Sequence, residues 1–386
     1  MRRYDLDWLR VIVFGLLIFY HVGMFFVPWE WHLKNNHLYS WLEYPMLFIN
    51  QWRLPILFVI SGMGTSYALS KRTGLQFAKE RIKRLLLPLI FGILVIVPPQ
   101  IFLERLSKGE FTGTYLQFLS GMFSSGLYPQ GNLSWHHLWF LPYLLSFSLF
   151  LTPLLVFLKR NPENILIITV RKVLSNPLGF LWFAVPLLLT ELFLKPYYPQ
   201  TFFFINDWFT IGFNILLFIY GFIFISTGNI FWKNVSQHRG SFLASGILSF
   251  ALLLLIKLKF PTLNVIEAIV SVLNTGSWVL ALFGYAAKHL NKSNDVLSYA
   301  NKAVYPFYIL HQTVIMGIAF LVKDQEWGLF FKFSLMLVAT FGITLLVYDR
   351  IILKIRFLQP LFGIKAGKKK SKEEATIVLQ EITETS

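Results

Sequence analysis

Two side chains in the first apolar stretch, residues 6–27, carry the most chemical information in the chain: Arg10 and His21, with ten residues between them. A helix turns roughly 100° per residue, so eleven steps return to nearly the same face, and at ~1.5 Å per step the two groups stand roughly 16 Å apart along the axis. An Arg at the centre of a bilayer costs ~3 kcal/mol or more, so ionisable groups in such a stretch face a protein interior or a watery cavity. The pair reads as a cation near the membrane surface that anchors a long anionic ligand, with a proton-handling imidazole at its far end. A thin hydrophilic passage is expected between them.

Other polar residues gather in the same kind of stretch. Arg53 lies in Asn50-Gln51-Trp52-Arg53-Leu54-Pro55, and is either a cation facing a ligand or a snorkelling side chain beside a kink. Pro55 frees a backbone carbonyl for a ligand, water or neighbouring helix. Ser61 and Gly62 are small enough for close helix approach. Arg81 and Arg84, three apart, share a helix face, and their planar forks suit phosphate oxygens, although ordinary membrane anchoring also explains them. In Trp135-His136-His137-Leu138-Trp139 the tryptophans read as interfacial anchors. The adjacent histidines point roughly 100° apart, so no metal site is expected there, and one His facing a cavity stays open. Tyr308 and His311 share a face, either as a hydrogen-bonded pair lining a cavity or with His311 a structural histidine between helices. Glu43, Glu191 and Asp207 fall near span boundaries and offer no clear acidic partner for His21.

The elements that must position these groups follow from composition. Of 386 residues, 55% are hydrophobic and 14% charged, and the apolar residues form stretches of membrane-spanning length rather than amphipathic patterns. The fold class is all-α, a polytopic integral membrane protein with about ten transmembrane helices at 6–27, 46–69, 85–103, 137–158, 174–194, 210–231, 240–258, 264–287, 303–322 and 328–353. Most of the 35 Lys and Arg residues fall on the side that holds the N-terminus, Lys71, Arg72, Lys79 and Lys83 among them. That asymmetry places both termini in the cytoplasm. The net charge of +16 thus reports topology and contact with anionic lipid or ligand, and no nucleic-acid module is visible.

The absence of cysteine excludes disulfides and thiolate chemistry. Arg2 and Arg3 before a long apolar run read as a retained signal anchor. The glycine-rich connection 104–136 reads as an outer cap. Residues 1–363 are expected to form one transmembrane domain. Residues 364–386, with Lys368, Lys369, Lys370 and Lys372, read as a disordered cytoplasmic tail touching lipid headgroups. No internal repeat is visible, which weighs against a transporter of inverted halves.

These blocks, in this order, resemble the membrane-bound acyltransferase family 3. The resemblance rests on Arg10 with His21, on Phe58, Ser61 and Gly62, and on Arg81 with Arg84. It extends through His137, Trp139, Phe140 and Leu141 to the tyrosine-rich run Tyr305 to His311. The Arg-Leu-Pro run at Arg53 and the Leu-Trp-Phe-Leu block look most like the branch that modifies periplasmic glucans. Met63 departs from the family, where an aromatic usually continues the second block.

The resemblance implies a bacterial cytoplasmic-membrane O-acyltransferase. It would move an acetyl or succinyl group from cytoplasmic acyl-CoA, a co-substrate rather than a tightly bound cofactor, to a hydroxyl of an extracytoplasmic glycan. On that reading Arg10, Arg81 and Arg84 hold the coenzyme's phosphates, and His21 is the general base or carries the acyl group in a relay. Arg53, His137, Trp139, Tyr308 and His311 are the acceptor or oxyanion candidates. The alternative is a transporter or flippase of a glycan precursor, whose path would also be lined by buried Arg and His.

Overall fold

The computed structural model describes residues 2–364, so the expected tail, apart from Ile364, lies outside the described residues. Among the described residues the chain is helical, with one isolated backbone pairing between Leu127 and Leu133. In chain order, α1 (Tyr4–Met24), α2 (Glu43–Leu69) and α3 (Gly74–Ser107) are followed by the pair α4 (His136–Phe150) and α5 (Thr152–Arg160). Then come α6 (Pro177–Phe193), α7 (Trp208–Ser226), α8 (Arg239–Lys259), α9 (Asn264–His289), α10 (Asp295–Val322) and α11 (Leu329–Ile352). Eight of these are long and apolar enough to cross a membrane, and α4 with α5, bent by 54°, makes a ninth if the pair is one span.

Each of the ten expected stretches meets one of these elements, with two differences. The fourth is broken at Leu151, where Pro153 lacks the N–H that would close onto Leu149. The fifth, α6, is a shorter apolar helix that begins at Pro177 and contains Pro186. Leu248, Leu252 and Leu255 on α8 and Phe330, Phe331 and Val338 on α11 are exposed. Apolar surface on that scale is stable in lipid and not in water, and the chain is a polytopic membrane protein.

Small residues and displaced carbonyls set the helix contacts. A Cβ added to Gly62 would collide with the Phe218 carbonyl oxygen, and one added to Gly221 would collide with that of Val59. Helices α2 and α7 therefore touch backbone to backbone, which is the packing role expected of Gly62. The carbonyl freed by Pro55 belongs to Gln51, and a neighbouring helix satisfies it, because Thr275 Oγ1 of α9 donates to it over 2.9 Å. Pro88 likewise has no N–H for the Arg84 carbonyl, and the Tyr305 hydroxyl of α10 donates there at 3.0 Å. This compensation sits on a π-helical turn over Ile82–Leu86 that carries Arg84.

Helices α1 and α10 pack side by side and run in the same direction. Arg10 Nη1 meets Asn301 Oδ1 at 3.3 Å near their starts, and His21 meets His311 further along both. This seam positions the site.

Gly62→Val should overpack the α2–α7 contact at a cost of about 1–3 kcal/mol, read as a lower melting temperature of the detergent-purified protein. An unchanged melting temperature would show that the two backbones are not in contact.

Candidate functional site: a histidine centre on the α1–α10 seam

The centre is built on His311, which is fully buried. Its Nδ1 lies 2.7 Å from the Tyr308 carbonyl oxygen and 3.2 Å from that of Phe307. Carbonyl oxygens only accept, so Nδ1 carries the proton and His311 Nε2 presents a lone pair. His21 Nδ1 lies 2.7 Å from that Nε2 with the rings only 5° from parallel, so in the neutral pair His21 donates. Donor and acceptor counting thus leaves the lone pair of His21 on Nε2, which makes no hydrogen bond among the described residues.

His137 completes the group. Its Nε2 donates to the Ile309 carbonyl at 3.0 Å, its Nδ1 lies 3.4 Å from Gln100 Nε2, and its ring meets His311 edge-on. The Tyr308 hydroxyl donates to the His137 carbonyl at 2.8 Å. Tyr308 and His311 do share a face and are bonded through the Tyr308 carbonyl, not side chain to side chain, because the Tyr308 hydroxyl is taken by the His137 carbonyl. His137 and Tyr308 have their donors engaged, and both act as spacers between α4 and α10.

His21, Arg53, His137, Trp139 and Tyr308 line one small cavity of about 30 Å³, together with Phe14, Leu17, Leu54, Leu57 and Phe140. Trp139 is therefore a wall of the cavity, not the interfacial anchor its position suggested. It packs 4.3 Å from Phe202, while Trp135 donates to the Phe202 carbonyl at 2.9 Å. Arg53 is 3% exposed and lies over the Tyr20 ring at 3.8 Å, with Nε and Nη1 both unpartnered. It is not a snorkelling side chain. A desolvated guanidinium without an anion is costly.

At the other end of the seam the three expected arginines come together. The charges of Arg10, Arg81 and Arg84 are near enough to repel one another. Arg10 is held by Asp7 at 3.4 Å and by Asn301, and Arg81 Nη2 lies 3.4 Å from Thr65 Oγ1. Sequence reasoning passed over Asp5 and Asp7, which pair with Arg3 and with Arg2 and Arg10. The signal was present in two carboxylates on the first turn of a helix, where the macrodipole favours them.

The hydrophilic passage expected between Arg10 and His21 is not open. Phe14 and Leu17 occupy that face of α1, and Arg10 is not among the cavity's lining residues. The reason is periodicity: residues 10, 14, 17 and 21 fall on one helical stripe, and the two middle ones are apolar. None of the three acids considered as partners for His21 approaches it. Glu43 accepts from Trp29 Nε1 at 3.1 Å and Glu191 pairs with Lys195 at 2.6 Å. Asp207 knots the 201–207 loop through the Phe202 N–H at 2.8 Å, Thr210 at 2.7 Å and the Tyr143 hydroxyl.

No solved structure matches this chain. Among curated relatives it is 30% identical over 168 residues to Glucans biosynthesis protein C of Escherichia coli strain SMS-3-5, covering 42% of this chain and 41% of that protein. Proteins of the same name from Escherichia coli strain K12 and Shigella dysenteriae serotype 1 are 29% identical over the same length. The chain thus matches about two-fifths of the length of these relatives. The family profile described as an acyltransferase domain, Acyl_transf_3, matches residues 3–349. With nearly all the described helices inside that match, the chain belongs to the acyltransferase 3 family.

Proposed function

We propose that the chain transfers a short acyl group, acetyl or succinyl, from acyl-CoA to a hydroxyl of an extracytoplasmic glycan, with His21 as the general base. The observation that supports this most directly is the pairing of two complementary groups on one cavity: a His21 Nε2 lone pair fixed by His311, and an Arg53 guanidinium with unengaged N–H groups. Family membership and the relatives named for glucan biosynthesis support the acyl-transfer class and the glycan acceptor.

In this mechanism His21 Nε2 takes the acceptor hydroxyl's proton as that oxygen bonds to the thioester carbonyl carbon. The carbonyl π pair moves onto oxygen, where Arg53 stabilises the oxyanion. Collapse breaks the carbon–sulfur bond, and the departing thiolate recovers the proton from the His21 imidazolium, leaving an ester and free coenzyme A. His311 positions His21 and holds its tautomer. The coenzyme's phosphates sit among Arg10, Arg81 and Arg84, and its thin arm displaces Phe14 and Leu17 to reach the centre. The setting is the bacterial cytoplasmic membrane, with both termini in the cytoplasm.

Acyl transfer from labelled acyl-CoA to glycan by the purified protein tests the reading. His21→Ala should lose ~10²- to 10⁴-fold in rate, with acyl-CoA binding retained. Arg53→Met should lose ~10²- to 10³-fold, as for removal of an oxyanion donor. Full activity in His21→Ala would end the mechanism, and vectorial glycan movement with no transfer would assign a transporter instead.

The donor site has its own measurement. Arg10→Ala should raise the KM for acyl-CoA by about tenfold or more while kcat changes little, as expected for a lost charge-assisted contact. An unchanged KM would remove Arg10 from the phosphate site without touching the role of His21.

A further inference from the structure

A second histidine cluster lies outside the transfer machinery. His32 from the segment after α1, Glu104 near the end of α3 and His136 at the start of α4 each bring one donor atom to a common point, all within 4.8 Å of one another. His32 Nδ1 is 2.8 Å from Glu104 Oε2, and His136 Nε2 is 3.9 Å from the same oxygen. The two imidazoles are stacked at 4.4 Å.

Glu104 is 1% exposed, and its other oxygen is held by Lys108 at 2.6 Å and by the Tyr128 hydroxyl at 3.0 Å. Those two donors turn Oε2 toward the imidazoles, as partners behind a metal-binding carboxylate do.

His136 supplies the independent observation. Its side chain is 1% exposed, yet Nε2 has no hydrogen-bond partner. Its Nδ1 is fixed 2.8 Å from Ser134 Oγ, and its backbone sits at φ 42°, a left-handed conformation that a side chain with a Cβ adopts at some cost. The ring is thus held, against local strain, with a bare nitrogen facing a carboxylate. A cation placed between them would satisfy both.

We infer that His32, Glu104 and His136 bind a divalent transition-metal ion, zinc by ligand type, which clasps the segment after α1, the end of α3 and the start of α4. Two imidazoles and one carboxylate suit zinc, at Zn–N ~2.0–2.1 Å and Zn–O ~2.0–2.2 Å, and leave a position for water. Calcium and magnesium prefer all-oxygen sites. His136 and His137, adjacent in sequence, do diverge and share no metal cluster among the described residues. His137 joins the histidine centre, and His136 finds partners that are distant in sequence. Gln100 is one helical turn before Glu104 and lies against His137, so the clasp steadies that wall of the cavity without touching the reacting atoms.

The test uses the full chain in detergent, stripped with a chelator and titrated with Zn²⁺, with bound metal and melting temperature measured together. The expected result is about one tightly held ion per chain and a higher melting temperature. Both should be lost in His136→Gln and kept in a control, His289→Gln, at the last residue of α9 and outside the cluster. Should His136→Gln fail to fold, Co²⁺ added to the stripped wild-type protein decides, through the visible absorption band of a low-coordinate N₂O site. No retained ion and no Co²⁺ band would overturn the inference, as would equal binding and stabilisation in His136→Gln. A melting temperature that depends on His136 and on pH but not on Zn²⁺ would assign a proton to the cluster, and the metal site would be discarded.

Discussion

An imidazole can act as a base at a chosen nitrogen only if something fixes its other nitrogen, and the group doing so must not itself change protonation in the process. Here that constraint is met by backbone. The Tyr308 and Phe307 carbonyls hold the His311 proton, His311 then accepts from His21, and the free lone pair is placed on His21 Nε2. Much of the surrounding structure keeps this short chain of bonds in register. The parallel run of α1 beside α10 brings residue 21 opposite residue 311, and the Tyr308 hydroxyl and His137 ring tie α10 to α4.

Hydrogen-bond accounting also separates the residues that hold the site from those left with chemical capacity. Buried polar groups in folded proteins are almost always paired, and His137, Tyr308 and His311 follow that rule completely. Arg53 does not. Because a single guanidinium in this desolvated setting carries its charge without an anion, the surrounding packing has to support it. The Tyr20 ring face beneath it supplies part of that support. The same reasoning sets Ser61 aside, since its hydroxyl closes onto the Leu57 carbonyl of its own helix at 2.7 Å.

Helix period made part of this legible in the sequence. Arg10 and His21 fall on one stripe by arithmetic alone, and each of the ten apolar stretches met an apolar helix or a bent pair of helices, though none marked the short helix Tyr115–Met122. The sequence also showed that Pro55 must free a carbonyl, though not that Thr275, more than two hundred residues later, would take it. Partners of that kind are set by tertiary packing. The His21–His311 bond, the Tyr305 hydroxyl on the Arg84 carbonyl and the convergence of His32, Glu104 and His136 all join residues without any local pattern between them. The misread positions have local causes: a proline breaks the fourth span, and a tryptophan beside an aromatic loop turns inward because Phe202 covers it.

The apolar stripe between Arg10 and His21 changes how the two ends of the seam are related. A continuous watery channel would carry protons and water to any thioester held at the centre, and hydrolysis would compete with transfer. Phe14 and Leu17 close that route, and Phe14 packs edge-on against Tyr308 at 5.5 Å. Both side chains are apolar, so moving them aside breaks no hydrogen bond, and the displaced contacts are replaced by those of whatever thin chain enters. A cavity of about 30 Å³ holds a water molecule or two and no more. In the proposed reaction the donor arm is thus both substrate and stopper: it opens the seam by occupying it, and water meets the thioester only by the route that the acceptor hydroxyl must also take.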